Sequence, residues 1–226
     1  VRVVIAGGHG QIALRPGRLL SGRGDTVTGL IRNPAHTGDL RAAGVESVLC
    51  DLEAASAEAA AAHLRGADAV VFAAGAGPGS GAARKDTVDR AAAVLLADAA
   101  VRAGVRRYVM VSTRGAGNPP RPQLDEVGVA YITAKAAADA YLMAQDLDWT
   151  VLRPAALTNG PGAGAVRLTG ERGPGGGHPR RHRGRPAGPA RHPGHRGPGP
   201  GIGPRRHPVH DAVAACVADR TGAPQG

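Results

Sequence analysis

The chain has 226 residues, with 28 basic and 18 acidic side chains, a formal charge of +10, and 2% aromatic residues. That length suits one α/β domain with a sizeable core and excludes a second full domain of ordinary size. The two cysteines, Cys50 and Cys216, are too few for a disulfide framework. No signal peptide or membrane-length apolar run is evident, so a soluble cytoplasmic protein is expected.

In chain order, strands are expected at Val3 to Ala6, Val27 to Ile31, Ser47 to Cys50, Ala69 to Ala73, Tyr108 to Val111 and Thr150 to Leu152. Helices are expected between them over Gln11 to Leu20, Ala35 to Ala43, Ala54 to Leu64, Ala83 to Ala103 and Val129 to Gln145. Runs such as "AVVFAA" and "YVMVS" are apolar without in-out alternation, which points to parallel strands covered on both faces. Strand then helix, repeated, predicts an α/β fold with a doubly wound parallel sheet of Rossmann type.

The first strand-to-helix turn, "VRVVIAGGHGQIA", carries Gly7, Gly8, Gly10 and Ala13 in G-x-x-G and G-x-G-x-x-A spacing. One position of such a turn needs a tight bend, another a close approach by a pyrophosphate, and a third close helix-strand packing. Gln11 and Ile12 then open the helix, where free N–H groups and the positive end of the helix dipole meet a diphosphate. Pro16 lies inside the expected helix and predicts a late start or a kink. After the second strand stands Arg32 and no acid, which favours a 2′-phosphate over a bare ribose: NADP, with NAD as the alternative. Asp51 and Leu52 close the third strand where an adenine rests, and Ala73, Ala74 and Gly75 close the fourth with side chains small enough for a cofactor to reach the backbone.

The motifs "VVIAGGHGQIA", "LIRNP", "CDLE", "ADAVVFAAGAG", "RRYVMVST", "YITAK" and "DWTVLRPAAL", in this order, resemble an atypical short-chain dehydrogenase/reductase of the NmrA-like and biliverdin/flavin reductase branch. The resemblance spans about residues 1 to 168. It implies a Rossmann core, a nicotinamide cofactor and a substrate pocket at the carboxyl ends of the strands.

Tyr131 and Lys135 are four apart and share a helix face. A nearby ammonium would lower the tyrosine pKa from ~10 toward working pH, as general acid-base chemistry requires. The resemblance implies that the tyrosine exchanges a proton with the substrate, that the lysine also holds the nicotinamide ribose, and that a hydroxyl after the fifth strand polarises the carbonyl. Ser112 matches that last position, with Thr113 as the alternate. His9 reads as a solvent-facing loop residue, Asp125 and Glu126 as favouring the dipole of the following helix, and Trp149 as core. No metal is expected, since the five histidines from His178 to His207 lack carboxylate or cysteine companions and match no ligand spacing.

Composition divides the chain into a Rossmann domain over 1–170, a basic segment over 171–208 and a short C-terminal helix and tail over 209–226. Residues 172–208 hold nine arginines and no acid, so the rest of the protein is close to neutral. The segment cannot bury apolar area to offset its ordering entropy and is expected to be disordered or poorly packed. Its arginine, proline, glycine and histidine have GC-rich codons, and a reading displaced by one nucleotide permits an apolar helix, a turn and a strand. We read it as a frame-shifted stretch with the frame restored near Val209; resequencing the DNA decides this. It has no aromatic residues for base stacking, so a nucleic-acid module is the lesser reading.

The expected function is NAD(P)-dependent hydride transfer to or from a small carbonyl substrate, without a nucleic-acid or membrane partner. The alternatives are a non-catalytic NADP-binding redox sensor and a sugar-nucleotide-type epimerase or dehydratase. Substrate and oligomeric state are not legible.

Overall fold

Apolar runs flanked by alanine-rich amphipathic stretches fold as they do because each sheet face needs a covering layer of helices. The computed structural model describes residues 1–154 together with Val213, Ala214 and Val217. The strands are β1 (Arg2–Ala6), β2 (Thr26–Ile31), β3 (Glu46–Leu49), β4 (Ala69–Phe72), β5 (Arg107–Val111) and β6 (Asp148–Leu152). All pair in parallel in the order β3-β2-β1-β4-β5-β6, with Val3 opposite Val27 on one side and Ala69 on the other. This is the Rossmann order, and the direction of winding reverses between β1 and β4.

Alternate residues of the strands feed two cores. Val4, Val70, Phe72, Tyr108 and Met110 pack with Leu64, Leu96 and Leu142 on one face. Val3, Ile5, Val71 and Val109 pack with Leu20, Leu40, Val213 and Val217 on the other. Each fully buried leucine contributes ~1.5–3 kcal/mol relative to exposure.

The helices are α1 (Gln11–Gly22), α2 (Thr37–Ala42), α3 (Ala57–Leu64), α4 (Gly81–Arg84), α5 (Ala92–Ala103) and α6 (Glu126–Met143), with a 3₁₀ turn at Pro34–His36. Their starts follow capping chemistry. Ser56 accepts from the Ala59 N–H at 3.1 Å, so α3 begins later than the alanine run suggests. Asp125 accepts from the Gly128 N–H at 2.7 Å, so α6 begins earlier, with Glu126 in its first turn. Pro16 does not delay α1, which runs from Gln11 with Pro16 buried inside it. The helix expected over Ala83 to Ala103 is present without interruption from α4 through α5, with a π-helical stretch, Lys85–Ala91, between them.

The chain divides into one unit of Val1–Pro161 with Val209–Gly226 and another of Gly162–Pro208. The expectations for residues 171–208 lie outside the described residues, as do those for most of the C-terminal tail. Val213, Ala214 and Val217 are helical. Among the described residues no helix is long and apolar enough to cross a membrane.

Candidate cofactor and active site

Two cavities open at the carboxyl ends of the strands. The larger, of about 1070 Å³, reaches from Gly10, Gln11 and Ile12 to Ser112, Thr113, Tyr131 and Lys135. The smaller, of about 250 Å³, lies among Gly7, Arg32, Asp51, Leu52 and Glu53. Both are bounded by Gly10, Ala73, Ala74 and Gly75, so they form the two ends of one crevice at the winding reversal.

The glycines of the first turn do different work. Gly7 has φ +76°, and a Cβ on it would lie 2.6 Å from Ala74 Cα. A Cβ on Gly8 would lie 2.7 Å from Gly29 Cα, and its N–H donates to Leu30 O at 3.1 Å, so Gly8 serves packing of the turn on β2 and lines neither cavity. Gly10 differs: its φ is −60°, and a Cβ there would meet nothing nearer than Gly7 O at 3.4 Å. Protein packing does not demand a bare Gly10, whereas a ligand approaching from either cavity does. The Gly10 N–H donates to Gly7 O at 2.9 Å. The amides of Gln11 and Ile12, the first two positions of α1, have no protein acceptor among the described residues, and in the turn before them those of Gly7 and His9 have none either. No side chain caps this helix and no acid lies in its first turn, so its positive end is left for an anion. The residues thus fit a dinucleotide diphosphate at this point.

At the smaller end Arg32 and Arg84 converge on Glu53. Arg32 lies 3.1 Å from Glu53 Oε2, Arg84 pairs with the same oxygen, and Thr87 donates to Oε1 at 2.7 Å. The Thr87 hydroxyl, followed by the two guanidiniums, holds the Glu53 carboxyl below its ordinary range. His9, expected to face solvent, lies 2.8 Å from Asp39 and stacks on His36, and both rings line this cavity. Cys50 beside it has its thiol pushed up by burial and by Asp51, so it is held as the unreactive thiol.

At the larger end α6 presents Tyr131 and Lys135 on one face, but the electrostatics differ from the expectation. Lys135 Nζ is drawn 3.2 Å from Asp89 Oδ1 in a nearly inaccessible ion pair, and also lies 3.3 Å from Val111 O and 3.5 Å from Ala74 O. Burial pulls its pKa below the ordinary lysine value, against the opposing attraction of Asp89. Because the ammonium is neutralised by Asp89, it does not depress Tyr131. Burial raises the Tyr131 phenol, with Asp89 and Asp139 adding to the rise, while a hydrogen bond with Thr113 pulls the other way.

Ser112 is almost wholly buried and donates to Asp139 Oδ2 at 2.9 Å; Arg153 donates to the same oxygen at 2.9 Å. Of the two hydroxyls after β5, Thr113 is therefore the one that meets Tyr131.

Asp89, Lys85 and Glu53 escaped the sequence reading. Lys85 donates to Gly77 O at 2.8 Å and stands 5.6 Å from the Tyr131 ring centroid. In "ARKDTVDR" the charged residues Lys85 and Asp89 are buried with Val88, in the same i, i+3, i+4 spacing that continues through Ala92, Ala93 and Leu96 of α5. One signal was present: Lys85 and Lys135 are the chain's two lysines, and both line this cavity. Among the described residues no group of three or more His, Cys, Asp or Glu is placed to hold a metal. The five histidines from His178 to His207 lie outside them.

A family described as NAD(P)H-binding matches residues 7–183. A Bacillus subtilis protein named as an uncharacterized sugar epimerase, YhfK, is 37% identical over 167 residues, covering 74% of this chain and 77% of that one. A Bacillus halodurans structure, provisionally described as an NAD-dependent epimerase/dehydratase, is 32% identical with a TM-score of 0.65, covering 73% and 74% of the two chains. The oxidoreductase ylbE from Lactococcus lactis is 27% identical with a TM-score of 0.64 over the same shares. The chain belongs to the NAD(P)H-binding family, as a Rossmann-type member of the oxidoreductase and epimerase group.

Proposed function

We propose that the chain is an NADP-dependent oxidoreductase that moves a hydride to or from a small carbonyl substrate. The observation that carries the reading is the single crevice joining the unpartnered amides of Gln11 and Ile12 to Tyr131. When bound, the nicotinamide supplies or accepts the hydride. Gln11 and Ile12 would hold the diphosphate, with Ala73, Ala74 and Gly75 giving it access to the backbone. Asp51 and Leu52 would border the adenine. Arg32 and Arg84, freed from Glu53, would take the 2′-phosphate, which favours NADP over NAD.

Tyr131 would hand its proton to the substrate oxygen. Its raised pKa keeps it protonated across neutral pH, which suits it to carbonyl reduction. Reduction then falls only as pH rises through that elevated value, and alcohol oxidation, which needs phenolate, increases over the same range. Thr113 would orient the phenol, with Ser112 behind it on Asp139. A ribose hydroxyl reaching Lys135 would replace its longest contact, that to Ala74 O.

The test is a turnover assay on carbonyl compounds with Tyr131→Phe. Loss of a proton donor should lower the rate by roughly 10²–10⁴, with NADPH affinity unchanged. An unchanged rate removes Tyr131 from the chemistry, and NADPH binding with no turnover in either protein marks a sensor. The relative named as a sugar epimerase favours a second reading, in which the hydride returns to the same substrate. That reading predicts substrate inversion without net NADPH consumption.

A further inference from the structure

We propose that the substrate of the larger cavity carries an anionic group, a carboxylate or a phosphate, held by Arg114 and Arg121. This rests on the reading of that cavity as the meeting place of coenzyme and substrate.

Eight arginines of the described residues pair with carboxylates. Six others form no ion pair among the described residues: Arg2, Arg18 and Arg41 lie outside the larger cavity, whereas Arg15, Arg114 and Arg121 line it, the last two exposed. Among the described residues the single carboxylate in that lining is Asp89, which is committed to Lys135. Lys85 adds a further cation on the wall, so the concave surface has an uncompensated positive field.

The three arginines do not have the same task. Arg15 stands one turn into α1, beside Gly10 and Gln11, where the coenzyme diphosphate accounts for it. Arg114 and Arg121 stand on the segment between β5 and α6, beyond the phosphate turn. That segment is tied by Arg114 N to Pro154 O at 2.9 Å, by Asn118 N to Gly115 O at 3.0 Å and by Leu124 N to Arg121 O at 3.0 Å, with Ala116 buried beneath it. Pro119, Pro120 and Leu124 of the same segment also line the cavity and carry no charge, and the acids that follow, Asp125 and Glu126, are not among its lining residues. A guanidinium fork in such a setting matches a carboxylate or phosphate, and a neutral carbonyl compound would leave both forks unused. A cavity of about 1070 Å³ has room for a substrate beside the nicotinamide end of the coenzyme.

The test uses the full chain saturated with NADP+. Calorimetry compares 4-acetylbenzoate with its methyl ester, and uridine diphosphate with uridine. At least one charged probe should bind ten-fold or more tightly than its neutral twin, and the responding pair distinguishes carboxylate from phosphate. Arg114→Gln combined with Arg121→Gln should abolish that ratio while leaving NADP+ affinity intact, which also shows that the variant folds. Arg18→Gln combined with Arg41→Gln, exposed arginines outside the cavity, should preserve the ratio. Equal affinity within both pairs, no binding by either charged probe, or a ratio that survives the double substitution overturns the proposal. NADP+ binding is measured first: its failure overturns the coenzyme reading, and the probe comparison is then made on the bare chain by the same criteria.

Discussion

The two ends of the crevice both join cations to carboxylates, but in opposite dielectric settings. At the smaller end Arg32 and Glu53 have side chains 55% and 26% exposed, whereas at the larger end Lys135 and Asp89 are 4% and 1% exposed. Exposed pairs are cheap to break and can exchange partners with an incoming ligand. A buried pair is costly to break, because the surviving charge has no water to turn to. The first arrangement suits recognition and the second suits a fixed scaffold beneath Tyr131.

The largest effect should come from breaking the buried pair. Asp89→Asn would leave the Lys135 ammonium without its counterion, at an expected cost of ~3–5 kcal/mol in stability. Urea unfolding measures it. The companion Asp89→Leu with Lys135→Met should recover most of that loss, since an apolar pair of similar volume replaces two desolvated charges. A cost for Asp89→Asn below ~1 kcal/mol would place the pair in the exposed class and erase the contrast.

The next effect belongs to the exposed end. Removing Arg32 or Arg84 by substitution with alanine should weaken NADPH binding by roughly ten-fold to a hundred-fold, the value of one hydrogen bond to a charged group, and leave NADH binding unchanged. Equal losses for both coenzymes would show that the arginines support the cavity and do not read the 2′-phosphate.

The smallest effect tests how loosely that end is held. The Glu53 carboxyl is depressed in the folded state, so its contribution is present above the unfolded value of about 4.3 and is lost as pH falls through the folded value. Denaturation of the wild type and of Glu53→Gln between pH 6 and 3 should differ by less than ~1 kcal/mol, with the difference vanishing at the acid end. A larger difference would mean that Glu53 is a structural anchor.

The same contrast explains what the sequence revealed. The doubly wound parallel sheet and the glycine turn were legible because parallel strands need continuous apolar runs and a tight strand-to-helix turn needs glycine; the order of the strands came from the structure. The places of Arg32 after β2 and of Tyr131 and Lys135 on one face of α6 were legible because a strand end and helical spacing fix them. Asp89 was not, since an acid in an Arg-rich stretch suggests solvent even where its spacing continues the buried face of Ala92, Ala93 and Leu96. The division of labour among Gly7, Gly8 and Gly10 was also hidden. It depends on how near Ala74 and Gly29 come, which is a property of packing between β1, β2 and β4. The expected ammonium effect on Tyr131 failed for a related reason: spacing placed Lys135 correctly, but only tertiary structure supplied the acid that neutralises it.

The central claim is that the amides of Gln11 and Ile12 bind the coenzyme diphosphate. Amide-resolved ¹H–¹⁵N NMR during NADPH titration tests it most directly. The account predicts that these two resonances shift with the binding isotherm, together with Gly10, while Gly8, whose N–H is held by Leu30, moves less. Saturable NADPH binding with Gln11 and Ile12 unmoved, or no binding at all, would contradict it.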